Sequence, residues 1–352
     1  MKLLKFSIGI CCVLLLSGGA SQSFAETDRL KVAIVGDTGI GERAYHPGFV
    51  AVQKAMVEQK PDLLIHLGDF AYQPDLFPST CDSKYIKEIK ETLVDPFPER
   101  LFVAGDNDLD PHKWKPKASG CWKDIAAMGD SLERNAPRER EGLLSIGPVL
   151  FGLIDGYPWE NPEAWLKPHI DRARAKGQWV ILAHHEPALT TAWFLDKQEK
   201  ELKQIGALAA DLVLSGHQHS YERFHPLSLQ GDSLIAHKEN APVYPQGVGA
   251  MHIVSGGGGA TFKPFADMQG HPERSAPPEV FQALAKRALM NHFIILEITK
   301  EKIEGTTYQV CTDEGDGNPR WKPRKDFWKE IRLDCDGKTP GTYAFDRFDI
   351  KR

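Results

Sequence analysis

Six polar side chains of types that bind metal ions each follow a short apolar segment of the sequence. They are Asp37, Asp69, Asn107, His185, His217 and His219. Each has a simpler explanation by itself, because Asp after Gly is a common turn residue and Asn-Asp is a turn dipeptide. Such residues at five segment ends together indicate a functional site of metal ligands.

The stretch AGDNDLD, residues 104–110, is the most crowded of these segment ends. Its carboxylates at Asp106, Asp108 and Asp110 repel one another, so a cation or a proton is expected beside them.

The apolar segments themselves predict the strands of a buried sheet. They lie at 30–36, 62–68, 100–105, 149–155, 179–184, 211–216 and 251–256. Apolar runs without alternation are typical of strands buried on both faces, and helix-like stretches at 47–59, 83–97 and 199–210 lie between them. This alternation predicts an α/β layered fold, in which sites form at the carboxyl ends of strands.

Five short blocks resemble the calcineurin-like metallophosphoesterases, and within them the purple acid phosphatase branch. They are GDTG (36–39), GDFAY (68–72), GDND (105–108), AHHEP (183–187) and GHQH (216–219). The resemblance covers roughly residues 30–260 and implies a layered α-β-β-α sandwich with a dinuclear metal site at strand carboxyl ends. In this family a metal-activated hydroxide hydrolyses phosphate esters. Gly39 in place of a histidine ligand, together with Tyr72, resembles the purple acid phosphatases.

The resemblance implies a ligand set. Asp69 would bridge the two ions, and the ion completed by Asp37, Tyr72 and His219 would suit Fe(III). The other ion, Zn, Fe(II) or Mn, would be held by three further side chains, those of Asn107, His185 and His217. In AHHEP, His185 fits the family's His-x-Pro spacing and is the preferred ligand, with His184 as the alternative. If His185 is the ligand, His184 would line the pocket or form a hydrogen bond nearby.

The block GDND departs from the family's usual Gly-Asn-His-Asp/Glu, because it has no histidine to protonate the leaving group or hold phosphate. Asn107 is the expected amide ligand, although a strict alignment puts Asp106 in that place. His112 and Asp108 are the candidates for the missing general acid. The glycine run 256–259 is either a close approach of backbone to the site or a flexible turn.

Together these features predict a metal-dependent phosphoric ester hydrolase, most of all a phosphomonoesterase acting on a small molecule. A phosphodiesterase and a catalytically weakened metal- or phosphate-binding protein are the alternatives. The formal net charge of −5 argues against nucleic acid or an anionic membrane surface as a partner.

Residues 1–25 have the pattern of a cleaved signal peptide: a lysine-bearing start, an apolar stretch and a small-residue end. The protein is therefore expected to be exported, periplasmic or secreted, and without a membrane anchor after cleavage. The expected organisation is a catalytic domain at 26–295, with C-terminal strands at 296–352 extending the same domain.

Four cysteines remain after residue 25, an even number that suggests disulfides in an exported chain. Pairing of sequence neighbours predicts Cys81–Cys121 and Cys311–Cys335, although other pairings are open. Their spacing does not fit a zinc–thiolate site.

Overall fold

The computed structural model describes residues 29–38, 47–72, 81, 86–87, 89–111, 118–129, 132, 136–193, 197–231, 233–260, 262, 265–268, 274–312, 335 and 337–352. The strands, numbered in chain order, are β1 (Arg29–Val35), β2 (Leu63–His66), β3 (Glu99–Phe102), β4 (Gly142–Ile146), β5 (Val149–Leu153), β6 (Trp179–His184), β7 (Leu212–Ser215), β8 (Tyr221–Phe224), β9 (Leu227–Gln230), β10 (Ser233–Ala236), β11 (Val243–Pro245), β12 (Met251–Ser255), β13 (Leu284–Ala288), β14 (His292–Thr299), β15 (Lys302–Cys311) and β16 (Gly341–Lys351). The α-helices are α1 (Pro47–Glu58), α2 (Trp122–Ala126), α3 (Glu163–Ala175), α4 (Lys197–Gly206) and α5 (Pro278–Ala283).

The strands form two seven-stranded sheets and a separate hairpin of β9 and β10. The first sheet has the order β11-β16-β15-β14-β1-β2-β3, and the second has the order β13-β8-β12-β7-β6-β5-β4. Within them, β1, β2 and β3 are parallel neighbours, and so are β5, β6, β7 and β12. All seven strands predicted from apolar runs are present, which confirms the α/β fold class.

The main hydrophobic core lies between the two sheets, because both contribute side chains to one buried cluster. From the first sheet come Val32, Ile34, Ile65, Leu101 and Ile294, and from the second come Phe151, Trp179, Ile181, Leu214 and Ile253. These strands are apolar on both faces, as strands covered on both sides must be.

The helices cover the outer faces of the sheets. Val52 and Met56 of α1 pack against Val35 of the first sheet, and Leu166 of α3 packs against Val180 of the second. The result is the predicted α-β-β-α order of layers. Within the segment 83–97, which was predicted to be helical, Lys90–Val94 forms a π-helical turn.

Two disulfides join the cysteines that are neighbours in sequence, as predicted. The Cα atoms are 5.5 Å apart in Cys81–Cys121 and 5.9 Å apart in Cys311–Cys335. The strands β14 and β15 form an antiparallel pair that extends the first sheet beside β1. In the part of the chain described here, no helix has the length and apolar character needed to cross a bilayer.

Candidate metal centre

The parallel strands of both sheets bring the candidate metal-ligand side chains to one edge of the sandwich. Asp37 follows β1, Asp69 follows β2, and His217 follows β7. All three have positive φ angles, of 55°, 57° and 65°. Such conformations are strained for residues other than glycine and persist where the surrounding structure enforces them, often at functional sites.

One group of ligand atoms forms around Asp37. Carboxylate and imidazole atoms of Asp37, Asp69 and His219 lie within 4.8 Å of one another. The hydroxyl of Tyr72 lies 2.9 Å from His219 Nε2 and donates to Asp37 Oδ1 at 3.2 Å. The backbone N–H of His217 donates to Asp37 Oδ2 at 2.8 Å, which fixes the orientation of this carboxylate. Four of the predicted ligands therefore meet here.

A second group shares Asp69 with the first. Its members are Asp69, Asp106, His185 and His217, with ligand atoms within 4.8 Å of one another. Asp106 Oδ1 lies 3.5 Å from His185 Nε2 and 3.4 Å from His217 Nδ1. The other ring nitrogen of His185 lies 2.6 Å from the carbonyl oxygen of Leu67, so Nε2 is the nitrogen directed at the carboxylates.

Asn107, the amide ligand expected from the sequence, lies in the site but turns its nitrogen toward the carboxylates. Its Nδ2 donates to Asp69 Oδ2 at 2.7 Å, and its backbone N–H donates to Asp69 Oδ1 at 2.9 Å. Asn107 therefore holds Asp69 in place. Asp106, the alternative in the sequence analysis, is the member of GDND that lies among the imidazoles of the second group.

Asp108, a candidate general acid, is fully buried beneath the site. Its Oδ2 accepts hydrogen bonds from the backbone N–H groups of Asp69 (2.9 Å) and Gly105 (3.0 Å), and its Oδ1 accepts one from Ala71 (3.0 Å). Burial and the charge of Asp69 raise the pKa of Asp108 well above its usual range. Because both oxygens are engaged by the backbone, Asp108 braces the loops after β2 and β3.

The carboxylates of the site attract positive charge. Burial alone would raise the pKa of Asp69 and Asp106, but His185 beside them lowers the pKa of both. In return, burial disfavours a charged His185, yet the two carboxylates raise the pKa of this imidazole well above its ordinary value. A proton on His185 thus balances the charge of Asp69 and Asp106 when no ion is bound. The donor set of carboxylates and imidazoles fits divalent and trivalent cations.

Three glycines allow the loops to approach the ligands closely. A Cβ at Gly105 would lie 2.2 Å from Asp69 Oδ1, and one at Gly68 would lie 2.5 Å from His185 Nδ1. A Cβ at Gly256 would lie 2.8 Å from Asp37 Oδ2. The glycine run 256–259 is therefore a close approach of backbone to the site, one of the two readings that its sequence allows.

Of the remaining two sequence candidates, His184 is not among the ligand atoms of the two described groups. His184 is fully buried at the end of β6, 5.7 Å from the Trp159 ring, and neither ring nitrogen has a hydrogen-bond partner in the described structure. Burial lowers its pKa to about 4, so the ring stays neutral. Because successive strand residues point to opposite faces, His184 points away from the site that His185 enters. His112 lies outside the described residues.

The turn after β5 also reaches the site, which the sequence analysis did not anticipate. Tyr157 in this turn has its ring centroid 6.1 Å from that of His185. Burial and the charge of Asp106 raise the pKa of the Tyr157 phenol well above its usual range. The polar segment that follows the apolar run 149–155 was the available signal, since five of the other six runs end at candidate ligands.

The comparisons with known proteins agree with this geometry. The family model for calcineurin-like phosphoesterases matches residues 30–221. An acid phosphatase of Aspergillus ficuum is 29% identical over 147 residues, 38% of this chain and 24% of that protein. Uncharacterized protein Rv2577 of Mycobacterium tuberculosis is 32% identical over 122 residues, 32% of this chain and 23% of that protein. The chain thus spans about a quarter of the length of these curated relatives.

A solved structure extends the likeness to nearly the whole fold. The purple acid phosphatase PPD1 from yellow lupin, Lupinus luteus, aligns with a TM-score of 0.64 and 16% sequence identity. The alignment covers 92% of this chain and 54% of that one. At this identity the likeness is one of fold, and it confirms the layered sandwich.

Proposed function

The chain belongs to the calcineurin-like phosphoesterase family, and on that premise we propose that it is an exported phosphomonoesterase with a centre of two metal ions. The position of Asp69 is the observation that supports this proposal most directly. Its carboxylate belongs to both groups of ligand atoms, and a shared carboxylate is what two neighbouring cations require.

The proposed ligands follow from the two groups. Asp37, Tyr72 and His219 hold one ion together with the shared Asp69. Asp106, His185 and His217 hold the other with the same carboxylate, and Asp106 takes the place that an amide has in most of the family. Two bound ions supply an activated water for attack on phosphorus and positive charge for the phosphoryl oxygens.

The protein's own part in this reaction is to hold the ligands still. Asp108 fixes the loops that carry Asp69 and Asp106 through three backbone N–H groups. Asn107 orients the shared carboxylate through two further hydrogen bonds. Preorganised polar groups of this kind need no rearrangement during the reaction.

The proposed metals are Fe(III) beside Tyr72 and Zn, Fe(II) or Mn in the other position. The phenol oxygen, two carboxylates and one imidazole favour a hard trivalent ion at the first position. A tyrosinate bound to Fe(III) absorbs visible light, so the iron-loaded protein should be coloured and Tyr72→Phe should lose the band. A colourless, fully active di-zinc or di-manganese protein would contradict this metal assignment and leave the phosphoesterase assignment intact.

Export is part of the proposal. Two disulfides are typical of proteins that leave the reducing cytosol, and the sequence pattern of residues 1–25 agrees with that compartment. The proposed substrate is a small phosphate ester, because the chain's net negative charge disfavours polyanionic partners.

Turnover of two aryl phosphates tests the reaction class. The purified protein, loaded with Fe, Zn or Mn, should hydrolyse 4-nitrophenyl phosphate faster than bis(4-nitrophenyl) phosphate. The reverse order would indicate a phosphodiesterase. No turnover of either ester by protein with two bound ions would instead indicate a metal- or phosphate-binding protein on this scaffold.

A further inference from the structure

Tyr157 has a buried hydroxyl without a protein partner. The residue is partly exposed as a whole, but its Oη is buried and has no hydrogen-bond partner in the described structure. Buried tyrosine hydroxyls normally find a partner, so an unpartnered one at the edge of a site is available to a ligand.

The hydroxyl belongs to the candidate metal centre by its position. The strand β5 runs parallel to β6, with Leu153 opposite Ala183, so the turn after β5 lies beside His185. The rings of Tyr157 and His185 are 6.1 Å apart. Asp106, Glu186, Asp69 and Asp37 all act electrostatically on the phenol, as expected for a side chain that faces the ligands.

The turn that carries Tyr157 is firmly held. The carboxylate of Asp155 accepts the backbone N–H of Tyr157 at 2.9 Å and pairs with Arg140 at 2.8 Å. Arg138 donates to the backbone oxygens of Asp155 (2.7 Å) and Pro158 (2.6 Å). Hydrogen bonds on several backbone groups fix the direction of the tyrosine, which a ligand-binding residue requires.

The block GDND (105–108) lacks the histidine that most of the family has there, and this absence suggests a role for the Tyr157 hydroxyl. Most of the family has a histidine there that serves the phosphate, whereas Asn107 stands in that place here and uses its amide on Asp69. We propose that Tyr157 is a substrate-binding residue, whose hydroxyl donates a hydrogen bond to an oxygen of the bound phosphate group. This inference rests on the proposed function, and it adds a hydrogen bond without any covalent step.

Binding of inorganic phosphate to the metal-loaded protein tests the inference without turnover. Tyr157→Phe keeps the ring and removes only the hydroxyl, so calorimetry should give a phosphate dissociation constant about tenfold higher. The KM for 4-nitrophenyl phosphate should rise with it. Tyr157→His, which restores a donor, should recover part of the affinity. Tyr308→Phe makes the same chemical change on β15 and should bind phosphate within about twofold of the wild type.

The outcomes distinguish failure of this inference from failure of the proposed function. Unchanged phosphate affinity in Tyr157→Phe, with metal content and thermal unfolding like the wild type, would overturn the role of Tyr157 and leave the phosphomonoesterase proposal standing. Phosphate binding that depends on Tyr157, without turnover by the wild type, would support the role of Tyr157 in phosphate binding and overturn the proposed phosphomonoesterase activity. A wild-type protein that does not bind phosphate would overturn both.

Discussion

In the proposed ligand set, a single carboxylate in place of an amide changes the charge of the second ion site. Asp106 adds a negative charge beside His185 and His217, where most of the family has a neutral asparagine. An anionic ligand strengthens the attraction for a divalent cation, so this site is expected to retain its ion without the amide.

We therefore expect Asp106→Ala to lose the second ion. Removal of outer-shell partners already weakens metal binding about 10- to 100-fold, and loss of a direct ligand should reach at least the upper end of that range. Asp106→Asn, which restores the family's amide, should retain a weakened site. Metal content after dialysis and calorimetric titration with Zn²⁺ would measure both effects.

Asn107→Ala is the matched control, one position along the same turn. It removes the Nδ2 hydrogen bond to Asp69 Oδ2 but keeps the backbone N–H bond to Asp69 Oδ1 and every proposed ligand atom, so the protein should still bind two ions. If Asn107→Ala loses one ion and Asp106→Ala keeps both, the amide is the ligand and the proposed assignment is wrong.

The sequence identifies the ligand types at this site but leaves the choice between Asp106 and Asn107 open. Both follow β3, and the family pattern can be aligned to either. The direction of each side chain depends on the turn, which the three hydrogen bonds of Asp108 hold in place. Long-range contacts between loops set that turn, and no local pattern in GDND specifies them.

The elements behind the site were easier to predict than its loops. Continuous apolar runs identified seven strands because strands covered on both faces must be apolar throughout. The same rule located most of the candidate ligands, since parallel strands present their carboxyl ends at one edge. It passed over the turn after β5, because a tyrosine after a strand is more often a packing residue than a ligand-binding one.

The ion pairs of Asp155 with Arg138 and Arg140, which hold the turn after β5, should contribute measurably to stability. Asp155→Asn removes the buried charge that faces Arg138 and Arg140 and leaves both guanidinium groups without it. We expect the free energy of unfolding to fall by about 2 kcal/mol, below the range for fully buried pairs because the arginines are partly exposed. Urea denaturation of the metal-free protein would measure the change.

A surface ion pair provides the comparison. Asp171→Asn removes the exposed partner of Lys167 on α3 and should change the free energy of unfolding by less than about 0.5 kcal/mol. Equal effects of Asp155→Asn and Asp171→Asn would mean that the ion pairs of Asp155 contribute no more to the free energy of unfolding than a surface pair does.

Buried neutral imidazoles connect the stability of the whole molecule to pH. His252 in β12 is 5% exposed, and burial lowers its pKa from 6.5 to about 3. In the unfolded chain this imidazole takes up a proton as the pH falls below about 6.5, whereas in the folded protein it stays neutral down to about pH 3. The unfolded state therefore binds more protons in this range, and the folded state loses stability as the pH falls.

The loss from His252 alone should reach about 2.7 kcal/mol between pH 7 and pH 4.5, at about 1.4 kcal/mol per pH unit. Denaturant unfolding of the metal-free protein across this range would measure it, with a chelator present so that release of ions adds nothing to the slope. His252→Leu and His252→Gln differ in packing and hydrogen bonding but share the loss of the titrating group. Both should flatten the pH dependence by the same amount, whatever their effect at pH 7. A slope as steep as that of the wild type in both variants would show that His252 is not a source of acid instability.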